Sequence, residues 1–222
     1  MSAPLEVVEQ ISQSGMLDDM SPPLKVALFL GSFAFLSTAL VTVTAFTRIV
    51  IVLSFVRRAL STQEIPPTPV ILGLSMFLTF FVMGPTFDRV TSEAVIPYTN
   101  GSIKGSQAIA YSSDALRDFM LKQVRKSDLA LFIHMAEIDP PKTAADTPMR
   151  VLIPAFVISE LKTAFIMGFC LYIPFLLIDL VVSTILMAMG MMMMPPVVIS
   201  TPLKILLFVL VDGWQLVTQA LT

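Results

Sequence analysis

Long apolar runs, separated by one polar stretch, dominate the pattern of the chain. The first run covers residues 26–56 and is interrupted by a single charge, Arg48; a second covers residues 70–87 and a third residues 151–194. About 20 apolar residues are enough for a helix to cross a bilayer. The runs therefore predict membrane-associated helices, and the proline-rich residues 57–69 predict the connection of an antiparallel hairpin.

The third run is too long for one ordinary span. Pro154 and Pro174 lie inside it, and each removes a backbone hydrogen bond, so we predict at least two helical pieces. Pro195 and Pro196 end this region, and residues 203–221 predict a final apolar helix.

The polar stretch, residues 88–150, carries eight acidic and eight basic side chains. Within it, apolar residues recur every three or four positions over residues 114–137, which predicts one amphipathic helix. Arg57 and Arg58 place the hairpin connection on the cytoplasmic side by the positive-inside rule. We therefore expect this insert to lie on the opposite, extracytoplasmic side.

The pattern as a whole predicts an all-α fold with four regions. A polar N-terminal segment covers residues 1–23 and lacks the basic and apolar parts of a signal peptide. A first apolar helical hairpin covers residues 24–87, and the polar helical insert covers residues 88–150. A second apolar helical region, with a methionine-rich loop, covers residues 151–222.

Composition agrees with a membrane protein and removes several classes of function. Hydrophobic residues make up 55% of the chain and charged residues 14%, whereas soluble domains carry about 25% charged residues. A net charge of -2 gives no basic surface for nucleic acid. One cysteine, Cys170, and one histidine, His134, cannot form an internal disulfide or a Cys/His metal site.

Six charged residues lie inside or at the ends of the apolar runs. Each would cost about 2.5–3.5 kcal/mol at the centre of a bilayer. We expect them to pair across helices or across subunits, or to face a water-filled lumen; a lysine near a helix end could also extend its ammonium to the membrane surface. The six residues are Arg48, Glu160, Lys162, Asp179, Lys204 and Asp212.

Four consecutive methionines, Met191, Met192, Met193 and Met194, precede a pair of prolines. Methionine fills irregular gaps in protein interiors, so packing is one interpretation. Contiguous residues cover every face of a helix, however, and a packing stripe would not need all four. A flexible constriction lined by thioethers would use their adaptability, which makes this loop a candidate pore-lining segment.

Familiar catalytic motifs are missing from the sequence, which contains no GxxxxGKS, GxxxxGKT, HExxH or GxSxG. We therefore predict that the chain is not an enzyme and needs no cofactor. One catalytic alternative stays open: Asp179 and Asp212 could share a proton in an intramembrane hydrolase.

Three stretches of the chain match a known family. Residues 45–85 contain RRALSTQEIPPTP, residues 149–200 contain SELKTAF and MMMMPP, and residues 202–216 end in DGWQL. Together they resemble the FliP/SctR family of type III secretion export-gate proteins, and RRAL and DGWQL favour its flagellar branch. The resemblance runs from residue 24 to the end of the chain and is looser over residues 88–148.

This resemblance implies an all-helical subunit of a membrane-associated, homo-pentameric ring in the bacterial inner membrane, at the flagellar basal body. It implies FliQ and FliR as gate partners, FlhB and FlhA as further export proteins, surrounding lipids, and unfolded flagellar proteins as cargo. It also implies a methionine gasket at Met191, Met192 and Met193, to which Met194 adds a fourth thioether. The charged positions are expected to pair between subunits.

Two further alternatives belong to other classes of protein. A small-solute or ion transporter would use the intramembrane charges as a substrate site between broken helices of one chain. An assembly scaffold without a lumen would use the methionines for packing alone.

Overall fold

The computed structural model consists of helices and connecting loops, with no strand in the residues that it describes. The all-α prediction is therefore confirmed for these residues. The first 20 residues of the predicted N-terminal segment lie outside them. The described residues are 21–62, 65–139, 141, 143, 146–191 and 193–222.

Two helices replace the single helix predicted for residues 26–56. Helix α1 covers Pro22–Val43 and helix α2 covers Phe46–Ala59. Thr44 between them is extended, with ψ 174°, and its hydroxyl oxygen accepts a hydrogen bond from the N–H of Phe46 at 3.3 Å. Threonine side chains compete in this way with helical hydrogen bonds, which accounts for a break in an apolar run.

Helix α3 covers Thr68–Val90 and packs against α2, forming the predicted hairpin. It continues into a π-helical turn, Thr91–Val95, and a short helix α4, Ile96–Thr99. Pro97 has no N–H to give to the carbonyl four residues before it. The N–H of Ile96 instead bonds five residues back, which widens this turn.

The polar insert contains two helices where the sequence predicts one over residues 114–137. Helix α5 covers Gly105–Gln123 and helix α6 covers Lys126–Met135. Val124 and Arg125 between them are extended, with ψ 136° and 137°. The apolar spacing is helical on both sides of the break, so periodicity alone does not reveal it.

Helix α7 covers Met149–Ala188 without interruption, so the prediction of at least two pieces in residues 151–194 is wrong. Pro154 and Pro174 both lie inside it. Each proline removes one hydrogen bond. In apolar surroundings the remaining backbone groups have no water to bond to, so they keep their helical partners and the helix continues.

The final apolar run forms two helices, α8 over Val197–Leu210 and α9 over Gly213–Leu221, bent by 66°. The single helix predicted for residues 203–221 is therefore wrong. Asp212 adopts a left-handed conformation at the bend, with φ 50°. A Cβ on the next residue, a glycine, would lie 2.3 Å from the ring of Phe208, so the bend leaves no room for a larger side chain there.

The centre of the core lies between α2 and α7. On α2, Ile49, Val52 and Val56 recur every three or four residues and are at most 2% exposed. On α7, Leu152 and Phe156 are fully buried. Burying side chains of this size stabilises a fold by about 1.5–3 kcal/mol each. Helices α3, α5 and α6 pack around this pair.

Small residues let α2 and α7 approach closely. Small residues four positions apart often allow such close contact between membrane helices. Ala164 is fully buried, and a Cβ on Gly168 would lie 2.5 Å from Cδ2 of Phe55. The Phe55 ring also meets the ring of Phe165 edge-on, with centroids 5.7 Å apart. The side chain of Phe55 therefore occupies the space that a larger residue at position 168 would need.

Two helical segments in the described residues are long and apolar enough to cross a membrane. They are Thr68–Thr99 and Met149–Ala188, and the bent α8–α9 pair is a third if it counts as one span. Large apolar side chains stay exposed on them, including Phe81 at 73% and Phe169 at 61%. The chain thus presents apolar surface outward, which suits lipid or partner helices.

Replacing Gly168 with alanine is expected to destabilise the α2–α7 pair by about 1–3 kcal/mol, because the new methyl group overlaps Phe55. Thermal unfolding of the purified chain in detergent measures this loss. Gly84→Ala in α3 is the control, since no atom lies within 4 Å of its Cβ and alanine favours a helix. Equal losses in the two variants would contradict the close packing.

Candidate functional site

A buried ion pair joins α2 to α7. Arg48 Nε lies 3.3 Å from Glu160 Oε2, and the two side chains are 8% and 2% exposed. Arg48 Nη1 also donates a hydrogen bond to Oε1 of Gln123, the last residue of α5, at 3.3 Å. This pair therefore connects two apolar helices to the insert within one chain.

A second polar cluster attaches the start of α6 to α7. The N–H of Arg125 donates to Ser159 Oγ at 3.0 Å, and Ser159 Oγ donates to Asp128 Oδ2 at 2.8 Å. Arg125 Nη2 donates to Thr163 Oγ1 at 3.2 Å, and Lys162 Nζ lies 3.8 Å from Asp128 Oδ1. The break between α5 and α6 frees the N–H of Arg125 for this contact, so the break is where the insert docks on α7.

The carboxyl group of Asp128 is held in its ionised form. Its pKa is lowered mainly by the hydrogen bond from Ser159, with further contributions from Lys162, Ser127 and Arg125. Burial of the residue, which is 7% exposed, acts in the opposite direction and is outweighed. The folded chain therefore binds this proton less tightly than the unfolded chain does.

A third ion pair holds α8 against α7 and the hairpin connection. Lys204 is 1% exposed, and its Nζ donates to Asp179 Oδ2 at 2.5 Å and to Ser61 Oγ at 2.7 Å. Ser61 follows α2 and adopts a left-handed conformation, with φ 57°. The ammonium of Lys204 is thus bound inside the chain and does not extend to a surface.

Asp212 lies apart from these ion pairs, at the bend between α8 and α9. The hydrolase alternative requires contact between the carboxyl groups of Asp179 and Asp212. Asp179 bonds to Lys204 instead, and the left-handed backbone of Asp212 turns the chain. Within the described part of the chain, no group of three or more histidine, cysteine, aspartate or glutamate side chains could hold a metal.

The methionine loop connects α7 to α8. Met193 is 99% exposed and Met194 is 39% exposed, whereas Met191 is half-buried. Met192 lies outside the described residues. Met193 is therefore free to contact a molecule other than its own chain.

Sequence patterns find the charges of the apolar runs but not the residues that bind them. Gln123, Asp128 and Ser61 lie in segments that read as ordinary polar surface or connection. One signal does point to the docking cluster: Ser159 and Thr163 are four residues apart, so they share a helix face inside an apolar run.

These features define a class: an all-helical, membrane-compatible chain with buried ion pairs and an exposed methionine loop. The profile of the FliP family matches residues 22–221. The chain is 50% identical over 204 residues to the flagellar biosynthetic protein FliP of Bacillus subtilis, covering 92% of each chain. The chain therefore belongs to the FliP family.

Other relatives agree. The chain is 55% identical over 194 residues to the flagellar biosynthetic protein FliP of Pectobacterium carotovorum, covering 87% of this chain and 75% of the relative. For the Aquifex aeolicus protein of the same name the identity is 44% over 220 residues, covering 98% and 90%. The chain is thus a flagellar biosynthesis protein of the export apparatus that works with other flagellar components, and its apolar helices fit a membrane location.

Removing one partner of the buried ion pair should be more harmful than removing both. Glu160→Gln leaves the Arg48 guanidinium buried without a counter-charge, which is expected to cost about 3–5 kcal/mol. A double variant, Arg48→Met with Glu160→Leu, should recover most of this loss, because no charge stays buried. Thermal unfolding in detergent compares the variants.

The matched control for this comparison is Glu93→Gln, whose partner Arg89 is 42% exposed. Exposed ion pairs contribute little, so this variant should unfold near the wild-type temperature. A double variant as unstable as Glu160→Gln alone would show that loss of the counter-charge is not the cause.

The stability contributed by ionised Asp128 is expected above its unfolded-state pKa of about 3.9 and should be lost as the pH falls through its lower native pKa. Asp128→Asn should therefore be less stable than wild type at pH 7, with the difference shrinking below about pH 4. Thermal unfolding across this pH range measures it. Asp114→Asn, at a carboxylate 54% exposed, is the control and should differ little from wild type. A constant gap at every pH would contradict the prediction.

Proposed function

We propose that the chain is a core pore-forming subunit of the flagellar type III protein export gate. Five copies form a ring in the inner membrane together with FliQ and FliR, and FlhB and FlhA are further partners. Unfolded flagellar proteins cross through the lumen. A methionine ring formed by Met191, Met192, Met193 and Met194 closes that lumen at rest.

The exposure of the methionine loop carries this proposal. Met193 is 99% exposed between two apolar helical regions, where an isolated chain gives it nothing to contact. A ring of identical copies brings such side chains together around one axis. A narrow apolar constriction expels water and so blocks ions, while flexible thioethers yield to a passing chain without requiring specific hydrogen bonds.

The exposed apolar faces support an assembly. Phe165, Phe169 and Leu180 of α7 are 55%, 61% and 60% exposed, and Leu210 of α8 is 72% exposed. In the proposed gate these side chains pack on neighbouring copies, on FliQ and FliR, or on lipid. Helix packing inside a membrane assembly is driven by such close contacts together with small residues.

The proposed orientation puts the hairpin connection in the cytoplasm and the insert in the periplasm. Basic residues at the connection support it: Arg58 is exposed, and Arg57 Nη1 donates to Thr68 Oγ1 at 3.1 Å. Helix α7 has 40 residues, which is about 60 Å, whereas the hydrocarbon core is about 30 Å thick. Its first turns, where the insert docks, then lie on the periplasmic side.

In this proposal some intramembrane charges hold one chain together and others face a neighbouring subunit. Arg48, Glu160 and Lys204 are buried with partners in their own chain, so they are not free to bind a small solute. The transporter alternative needs charges exposed to a central site. Lys162 and Asp179 are 51% and 35% exposed and retain surface for a neighbouring subunit. We assign the same inter-subunit role to Asp212.

Replacing Met191, Met192 and Met193 together with alanine is expected to make the closed gate leak ions, because smaller side chains leave the constriction open to water. The measurement is membrane conductance in cells that express the complete gate. Native mass spectrometry of the purified complex checks that it is intact.

Met76→Ala is the matched control, since this methionine of α3 is also exposed, at 55%, but lies outside the loop. Its conductance should equal that of wild type. An intact complex that does not leak after the triple replacement would contradict a methionine seal and favour the scaffold without a lumen.

A further inference from the structure

The end of α7 fixes the backbone immediately before the methionine loop. Gly190 is left-handed, with φ 73°. Its N–H bonds to the carbonyl of Met187 at 3.0 Å, and the N–H of Met191 bonds to the carbonyl of Leu186 at 3.0 Å. These two hydrogen bonds around a left-handed residue form a Schellman motif, which caps the last carbonyls of a helix.

The motif gives Met191 a different setting from the methionines that follow it. A hydrophobic contact between the residue after the left-handed one and the residue that accepts its N–H frequently accompanies a Schellman motif. Met191 is half-buried and Leu186 is 5% exposed, and these values fit such a contact. Met193 is 99% exposed, and the N–H of Met194 returns to the carbonyl of Met191 at 3.3 Å.

We propose that the methionines divide into two roles. Met191 is a positioning residue that anchors the loop to the capped end of α7, and Met193 with Met194 forms the mobile sealing surface. Gly190 directs the loop toward the lumen through its left-handed backbone. This division rests on the proposed pore function, and it deepens that proposal by separating the residues that hold the seal from those that make it.

Gly190 allows backbone geometry to be tested apart from crowding. No atom lies within 4 Å of a Cβ built at this position, so a small side chain has room. Alanine nevertheless disfavours a left-handed backbone, whereas asparagine adopts it readily. Gly190→Ala and Gly190→Asn therefore form a matched pair, and both leave all four methionines in place.

The first experiment measures membrane conductance of the complete gate with these variants. Gly190→Ala should leak although every methionine is present, and Gly190→Asn should stay close to wild type. Met191→Ala should also leak, and Met191→Leu should restore closure because that position needs an apolar side chain to pack. Equal leaks from Gly190→Ala and Gly190→Asn, or none from either, would overturn the positioning role.

A second experiment compares the solvent accessibility of positions 191 and 193 directly. Cys170 is exposed, so the background carries Cys170→Ser. In the purified chain, a cysteine introduced by Met193→Cys should react with maleimide severalfold faster than one introduced by Met191→Cys. Equal rates would overturn the division of roles. This labelling does not depend on a pore, so it tests the division of roles by itself. The absence of a leak from the triple alanine variant would contradict the proposed pore function alone. Failure of the division of roles and failure of the pore function are therefore distinguishable.

Discussion

The close packing of α2 against α7 is the constraint on which the rest of the structure depends. Gly168 lets Phe55 fill the space between the helices, and this contact fixes their separation. The same two helices carry Arg48 and Glu160, whose side chains are almost completely buried. A buried ion pair compensates for lost hydration only when its geometry is maintained. The apolar contact at Gly168 therefore maintains the geometry that the buried ion pair needs. The ion pair in turn fixes how α2 and α7 are aligned.

Polar contacts supply the alignment that apolar packing leaves free. Attraction between apolar surfaces is non-directional, so smooth helices can slide or rotate against one another. Along α7, Ser159 binds the insert, Glu160 binds α2 and Asp179 binds α8 through Lys204. Each contact joins α7 to a different part of the chain. The hairpin, the insert and the C-terminal helices are thus all positioned by contacts with one long helix, α7.

Local patterns in the sequence predict which stretches of the chain are helical and locate six candidate charges, because periodicity and hydropathy are local properties. The breaks are harder to predict, since tertiary hydrogen bonds decide them: the N–H of Arg125 leaves the helix to bond to Ser159, 34 residues away. Prolines lead to the opposite error, a predicted break that the structure does not contain, because Pro154 and Pro174 stay helical in α7. The methionine cluster stands out by composition. The different exposure of Met191 and Met193, however, depends on the backbone conformation at Gly190.

In the proposed gate a flexible seal needs a rigid support, and the end of α7 can provide one. Thioether side chains adapt to whatever they contact, but adaptability is useful in a ring only if every copy presents its side chains at the same height. The capped terminus of a helix held by three separate sets of polar contacts meets this requirement. Glycine at the cap gives up helix propensity in exchange for a defined turn. The position of the loop is therefore set by the backbone, and its adaptability comes from side chains that their own chain leaves exposed.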